Sequence, residues 1–444
     1  MDRNKHARLE GFIRFCDRGM VFCFCALIYF LPISIALNET FIALALFFYL
    51  LKRSGMYVLR LKTDTGLAAA PLARKLMALL IAFKPVPSPL NRPVAALLMV
   101  HLVSVFLSDY PHASLMGFLG KTLQSAFVYF NFVESINTRK RVRLFLVFFG
   151  LSIILTSVNG LAQHWTGQGF VRGNVFDGRI SSSWRHANDM AAYLLLIVPV
   201  FFCLTFFLKT SPPSPKDERF LFHPVTRVLT AALFVVTLVC LALTYCRGAW
   251  VAFVLGMLSL GLHSRKMLIG AVVLAVVFVG GFFPSLVKER GGDMVIKNMN
   301  DVMGRNNRLG YWERATVIIK DHPWMGSGIN TYSLVQQRYS VGWGGYPHNS
   351  YLQMTAETGL VGLATFLWML GRLLWAVFRA LRRAAPSGFQ TLLLGAVTGF
   401  ICFLLHSFVD TNLYSVQLES LFWVYMGLLW ALVRLVTQEE GVME

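Results

Sequence analysis

Three stretches of the chain bring together residue types suited to moving a proton and holding an anion. The segment PHNSYLQMTAETGLVG (347–362) sets His348 and Asn349 at the head of a run that becomes apolar at about Gly359. A neutral imidazole at a wet membrane edge can take a proton from a hydroxyl, and Asn349 either orients a substrate or caps a helix. In LALTYCRGAWVAFVLG, Arg247 stands between two apolar runs with almost no loop around it. A charge so close to hydrocarbon marks a functional position unless it snorkels to the interface, and Gly248 opens a helix whose N-terminus also favours an anion. In NNRLGYWERA, helical spacing puts Arg308 and Trp312 on one face and turns Glu313 and Arg314 elsewhere, towards surface pairs.

Those residues need a scaffold, and composition says of what kind. Of 444 residues, 56% are hydrophobic and 14% charged, where soluble chains carry roughly 25% charged residues. The chain therefore reads as all-α and polytopic, with about twelve transmembrane helices. The expected spans are 17–34, 37–52, 93–108, 116–133, 144–162, 188–208, 227–245, 248–263, 267–286, 356–378, 389–408 and 416–436. The first two form a hairpin around LNET, and LMALLIAF is too short to cross and lies at the interface. The first apolar run is followed closely by a second without a small-residue cleavage site, so it reads as a span and not as a cleaved leader. The seven cysteines lie mostly inside apolar runs and show neither disulfide nor metal spacing.

Charge gives an orientation. The loops KRSGMYVLRLK, TRKRVR, KTSPPSPKDER, HSRK and RALRR fall on one side, which makes that side and both termini cytoplasmic. The chain then divides into nine helices over 1–286, with a short loop at 163–187 on the opposite side. A long, partly helical lid follows on that side at 287–347, then three helices and a cytoplasmic tail over 348–444. Topology accounts for most of the net charge of +19, but not for Arg172, Arg179, Arg185, Arg247, Arg290, Arg305, Arg308, Arg314 and Arg338 on the opposite face. Arginine in these places fits two-pronged recognition of phosphate or carboxylate, against a plainer role at lipid headgroups.

Taken in order, YCRGAWVA (245–252), RLGYWERATVIIKDHPWMGSGINTY (308–332) and PHNSYLQMTAETGLVG (347–362) resemble the O-antigen ligase and O-antigen polymerase superfamily. WRHANDMAAYL (184–194) is similar to the family's Asn-containing helix start, and HSFVD (406–410) to its His-to-Asp stretch. The spacing from His348 to Gly359 and Gly362 matches the ligase pattern, whereas Cys246 stands where many relatives have serine. The resemblance implies glycosyl transfer on the periplasmic face of the bacterial inner membrane, from a polyprenyl (undecaprenyl) diphosphate carrier to a sugar hydroxyl of lipid A-core. It implies an inverting reaction without metal or other cofactor. His348 would be the base, with Arg247 and Arg308 on the diphosphate. Arg185, Asn188, Arg314, Asn349 and Asp410 would make substrate contacts. Nothing points to nucleic acid. A repeat-unit polymerase or a protein O-oligosaccharyltransferase shares these motifs. A lipid-linked oligosaccharide flippase or transporter fits less well, because the polar residues gather at one face and no internal repeat is visible.

Overall fold

A computed structural model describes residues 3–171, 178–208, 219–294, 308–339 and 345–438. Among the described residues, sixteen principal helices carry the fold. They are α1 (Arg3–Phe30), α2 (Ile35–Thr63), α3 (Leu72–Ala82), α4 (Asn91–Phe106), α5 (Pro111–Gly117), α6 (Gln124–Ser135), α7 (Arg139–Thr166), α8 (Ala187–Leu195) and α9 (Val198–Phe206). There follow α10 (Pro224–Leu243), α11 (Arg247–Met257), α12 (Arg265–Met294), α13 (Arg308–Asp321), α14 (Ser350–Arg383), α15 (Gly388–His406) and α16 (Val416–Gln438). The twelve apolar segments all lie mainly on helix. Among the described residues, eight helices, or pairs continuous in sequence, are long and apolar enough to cross a membrane: α2, α7, α8 with α9, α10, α12, α14, α15 and α16. Shorter apolar runs form α4 and α11 with its 3-10 extension to Leu262.

Boundaries differ from the expected ones for local reasons. The first turn falls at 31–34, not around LNET: Pro32 ends α1, Ser34 caps α2, and the buried Asn38 reaches back to donate to Leu31 O. Pro199 separates α8 from α9, since proline removes a helical donor. Helix α12 continues past 286 to Met294, and α14 starts at Ser350, ahead of the expected 356.

Burial sorts the spans into centre and periphery. The apolar windows of α15 and α16 are each 83% buried and that of α8–α9 78%, against 22% for α2 and for α12. The sequence supplies the contrast: α15 is apolar all round, as a central helix must be, and α12 presents Ile269, Val273, Val276 and Val277 outward. Where α15 crosses α8, a Cβ added at Gly399 would lie 2.5 Å from Leu196 O, so only glycine permits that approach. At the end remote from the candidate site, α1, α2, α6 and α7 are joined by Asp17, Lys52, Arg53, Glu134 and Arg141. Lys52 lies 2.5 Å from Asp17 and 2.9 Å from Glu134, Arg53 pairs with Glu134, and Arg141 pairs with Asp17.

The break in α14 matters most for the site. Gly359 has φ 70° and ψ −176°, a conformation essentially confined to glycine. Its neighbours' lost helical bonds are replaced from the loop after α13. Ser327 N and Gly328 N donate to Ala356 O and Glu357 O, while Leu360 N and Val361 N donate to Pro323 O and Trp324 O. The buried Glu357 carboxylate accepts from the amides of Asn330 and Tyr332. Gly359 is therefore a splice point between loop and helix rather than a site of close helix approach, and a Cβ there would collide with Trp324 O. Gly359→Ala should lower stability by about 3 kcal/mol or more, seen as a reduced Tm of the purified protein in detergent.

Candidate active site

Five segments meet at one end of the bundle: 179–189 before and into α8, 244–248 at the start of α11, α13, 345–350 at the start of α14, and 406–412 after α15. Three of them reach the site through a non-glycine residue in the left-handed region. These are Ser182 (φ 53°), Tyr245 (φ 46°) and His348 itself (φ 46°). Such conformations persist only where surrounding structure enforces them, and they concentrate at functional sites.

The enforcing contacts at His348 are visible. Asn349 is the N-cap of α14, its Oδ1 accepting from the amides of Tyr351 and Leu352, each at 3.0 Å. Its acceptor oxygen is thus committed to the helix. Ser350 anchors the same turn to the loop after α15, its amide donating to Ser407 O and Asp410 O and its hydroxyl to Asp410 O. From the other side, Trp312 Nε1 donates to Pro347 O at 2.8 Å, and the Tyr311 ring stands 6.1 Å from that of His348. Helix α13 in turn rests on a small core of its own, Ala315 and Ile318 against Tyr332, Val335 and Ala356. Trp312 and Tyr311 therefore hold α13 beside the turn that carries the histidine.

Behind His348 lies a polar relay. His348 Nδ1 is 3.5 Å from Asp410 Oδ1, a long contact of the kind that tightens once substrate is bound. Asp410 Oδ1 also accepts from Thr411 N at 2.8 Å, and Oδ2 from Asn188 Nδ2 at 2.6 Å. Asn188 Oδ1 accepts from Arg179 at 2.5 Å, and Arg179 Nε donates to Thr244 O at 2.7 Å. Burial works against a charged Asp410. The His348 contact, the nearby His406 ring and the Thr411 amide outweigh it and hold the carboxyl well below the usual carboxylate range.

The rim is cationic. Arg247, the first residue of α11, is exposed and has no hydrogen-bonding or ionic partner among the described residues. Behind it Cys246 Sγ lies 3.5 Å from His406 Nε2, and Gly248 packs against Val409, which sets the start of α11 directly on the loop that carries Asp410. Arg308, the first residue of α13 and also exposed, lies within electrostatic range of Cys246 and His406. Arg185 is exposed beside His186, whose imidazole is held below its ordinary value by partial burial and then by Arg185. The half-buried Arg314 lies over the Tyr311 ring at 4.7 Å, so it reaches the site through Tyr311 instead of making only surface pairs.

His348, Asp410, Asn188 and Asn349 thus form the floor of the site, with Arg247, Arg308 and Arg185 around it and Arg314 one layer back. Sequence reasoning missed Arg179 as a site residue, although it stood among the unexplained arginines. It also missed Tyr311, His186 and His406. The last two lie inside the quoted stretches WRHANDM and HSFVD, so the signal for them was present. Arg338 is accounted for otherwise, paired with Asp109 at 2.6 Å. Arg172 and Arg305 lie outside the described residues, as does the side chain of Arg290.

No curated protein matches the chain. A family model described as Wzy_C, O-antigen ligase, matches residues 232–367, slightly under a third of the chain. The matched stretch includes Arg247, Arg308 and His348, while Arg179, Asn188 and Asp410 lie outside it. Over residues 232–367 this multi-helix chain is similar to the O-antigen ligase family.

Proposed function

We propose that the chain is an O-antigen ligase-type glycosyltransferase, transferring a glycan from a polyprenyl diphosphate carrier to a sugar hydroxyl of lipid A-core. One observation carries the reading: an imidazole backed by a buried carboxylate faces the same end of the bundle as arginines that have no acidic partner among the described residues. In this reading the chain crosses the bacterial inner membrane twelve times with both termini cytoplasmic. The four crossings beyond the eight self-sufficient spans are α1, α4, α5–α6 and α11. The site then faces the periplasm, with residues 287–347 as its lid.

The chemistry follows from the groups present. The acceptor oxygen attacks the anomeric carbon as His348 Nε2 takes its proton, and the imidazolium that forms is balanced by Asp410 at Nδ1. The bond between the anomeric carbon and the diphosphate oxygen breaks, and its electron pair leaves with the carrier. Arg247 and Arg308 stabilise the charge gathering on that diphosphate, which is already a good leaving group and needs no metal in this scheme. Attack from the face opposite the leaving group inverts the anomeric centre. Arg185 and Arg314 assist the donor side, Asn188 and Asn349 shape the acceptor side, and Asp410 positions His348.

The test is complementation of a strain lacking the gene, with surface polysaccharide and carrier-linked glycan resolved on gels. Arg247→Ala and Arg308→Ala should each lower transfer by about 100- to 1000-fold. Lipid A-core should then lack polymer while carrier-linked chains of normal length accumulate. Single-repeat products would point to a repeat-unit polymerase instead. Full activity in both variants would sink the assignment of the arginines.

A further inference from the structure

At the opposite end of the bundle from His348, the 3-10 extension of α11 and the C-terminal part of α14 line an open cavity of about 730 Å³. Gly359 and Arg383 are separated by roughly 36 Å of helix, so this cavity is remote from the candidate active site. Its apolar and aromatic lining is Leu262, Phe378 and Trp375, and Leu262 and Trp375 are 74% and 53% exposed. The α14 side also carries Arg379, Arg382 and Arg383, all exposed, with Leu262, His263 and Ser259 across from them. Arg379 and, from one turn earlier, Arg372 lie over the Trp375 ring at 5.1 and 5.4 Å.

What distinguishes this cluster is the lack of any counter-charge. Arg379, Arg382 and Arg383 have no ionic partner among the described residues. The sequence holds no Asp or Glu from Arg247 to Lys288, nor from Thr358 to Val409, the two hairpins that supply the cavity walls. Charge retention on the cytoplasmic side explains basic residues at a loop, and lysines at any exposed position would satisfy it. It does not explain three arginines and an aromatic ring gathered around one cavity. Arginine presents a planar fork to phosphate oxygens, and Trp375 holds two guanidiniums from above.

We propose that this cavity binds an anionic phospholipid, its phosphate held by Arg379, Arg382 and Arg383 and its acyl chains laid along Leu262, Phe378 and Trp375. Basic pockets between transmembrane helices hold such headgroups in the same manner. The lipid joins the turn after α11 to the end of α14. These are the two helices whose far ends carry Arg247 and His348, so occupancy stabilises both without touching the site. A soluble phosphate offers the same head chemistry, but it leaves the apolar wall uncovered.

The experiment uses the purified full-length protein in detergent micelles, with Tm and native mass spectrometry as readouts. Phosphatidylglycerol or cardiolipin should raise Tm by several degrees and remain bound in the gas phase, while phosphatidylethanolamine should do neither. The triple variant R379Q/R382Q/R383Q should bind the anionic lipid at least tenfold more weakly. The charge-matched control R60Q/K62Q/R74Q, with exposed basic residues elsewhere on that face, should bind as the unaltered protein does. If the triple variant fails to accumulate, R382Q and R383Q singly and the triple lysine replacement give the same comparison, with loss expected on lysine as well. Equal retention by variant and control overturns the proposal, as does equal stabilisation by the zwitterionic lipid. Full stabilisation by inorganic phosphate alone overturns the lipid assignment in favour of a soluble anion.

Discussion

Replacing His348 by glutamine or asparagine is expected to abolish glycan transfer, with a loss of about 1000-fold or more, while folded protein accumulates normally. The magnitude is that of a removed general base. The imidazole has the position for the task, with 43% of its side chain exposed towards the rim and Nδ1 turned to a buried carboxylate. The two replacements separate chemistry from framework. Glutamine keeps hydrogen-bonding atoms but is not basic. Asparagine tolerates a φ of 46° better than most residues, so His348→Asn should keep or slightly raise Tm while losing activity. The measurement is transfer by purified protein from a lipid-linked donor to lipid A-core, alongside thermal unfolding. More than a tenth of normal activity in either variant would exclude His348 as the base.

How much of this was legible in sequence depended on the range over which each feature is determined. The helical, membrane-spanning character and the position of each apolar segment follow from local composition. So does α13, whose RLGYWERA spacing forms the expected helix from Arg308. Helix ends were less readable because they depend on single side chains, such as Ser34 and Asn38 at the first turn. Gly359 was legible only as part of a spacing pattern. Its true role requires the carbonyls of Pro323 and Trp324, more than thirty residues away. Arg179 was visible as an unexplained charge, but its link to Asp410 spans 231 positions and passes through Asn188. Nothing local to any of the three announces the relay. For Arg314, helical spacing shows only that it leaves the face of Arg308. It does not show that the Tyr311 ring, one turn before it, lies against both its guanidinium and the His348 ring.

Asp410→Asn is expected to slow transfer by about 30- to 100-fold through the rate constant, with little change in KM. The carboxylate touches no substrate in the proposed scheme; it is a positioning residue that balances the charge on His348 as the proton arrives. At 3.5 Å and an effective dielectric of 20 the attraction is roughly 5 kcal/mol. The exposed side of the imidazole screens more than half of it, which leaves about 2 kcal/mol, or about 30-fold in rate. The structural consequence can be followed atom by atom. Thr411 N requires an acceptor at Oδ1, so the new amide nitrogen must take the place of Oδ2 and face Asn188 Nδ2. Turning Asn188 over relieves that clash but directs its own donor at Arg179, also a donor. The relay therefore breaks at one joint or the other. The exchange D410N/N188D supplies an acceptor both to the new amide at position 410 and to Arg179, and should recover Tm. It moves the negative charge one residue further from the imidazole, so the rate should stay low. Recovery of the full rate by the exchange would mean that Asp410 serves the framework alone, and that His348 works without a carboxylate behind it.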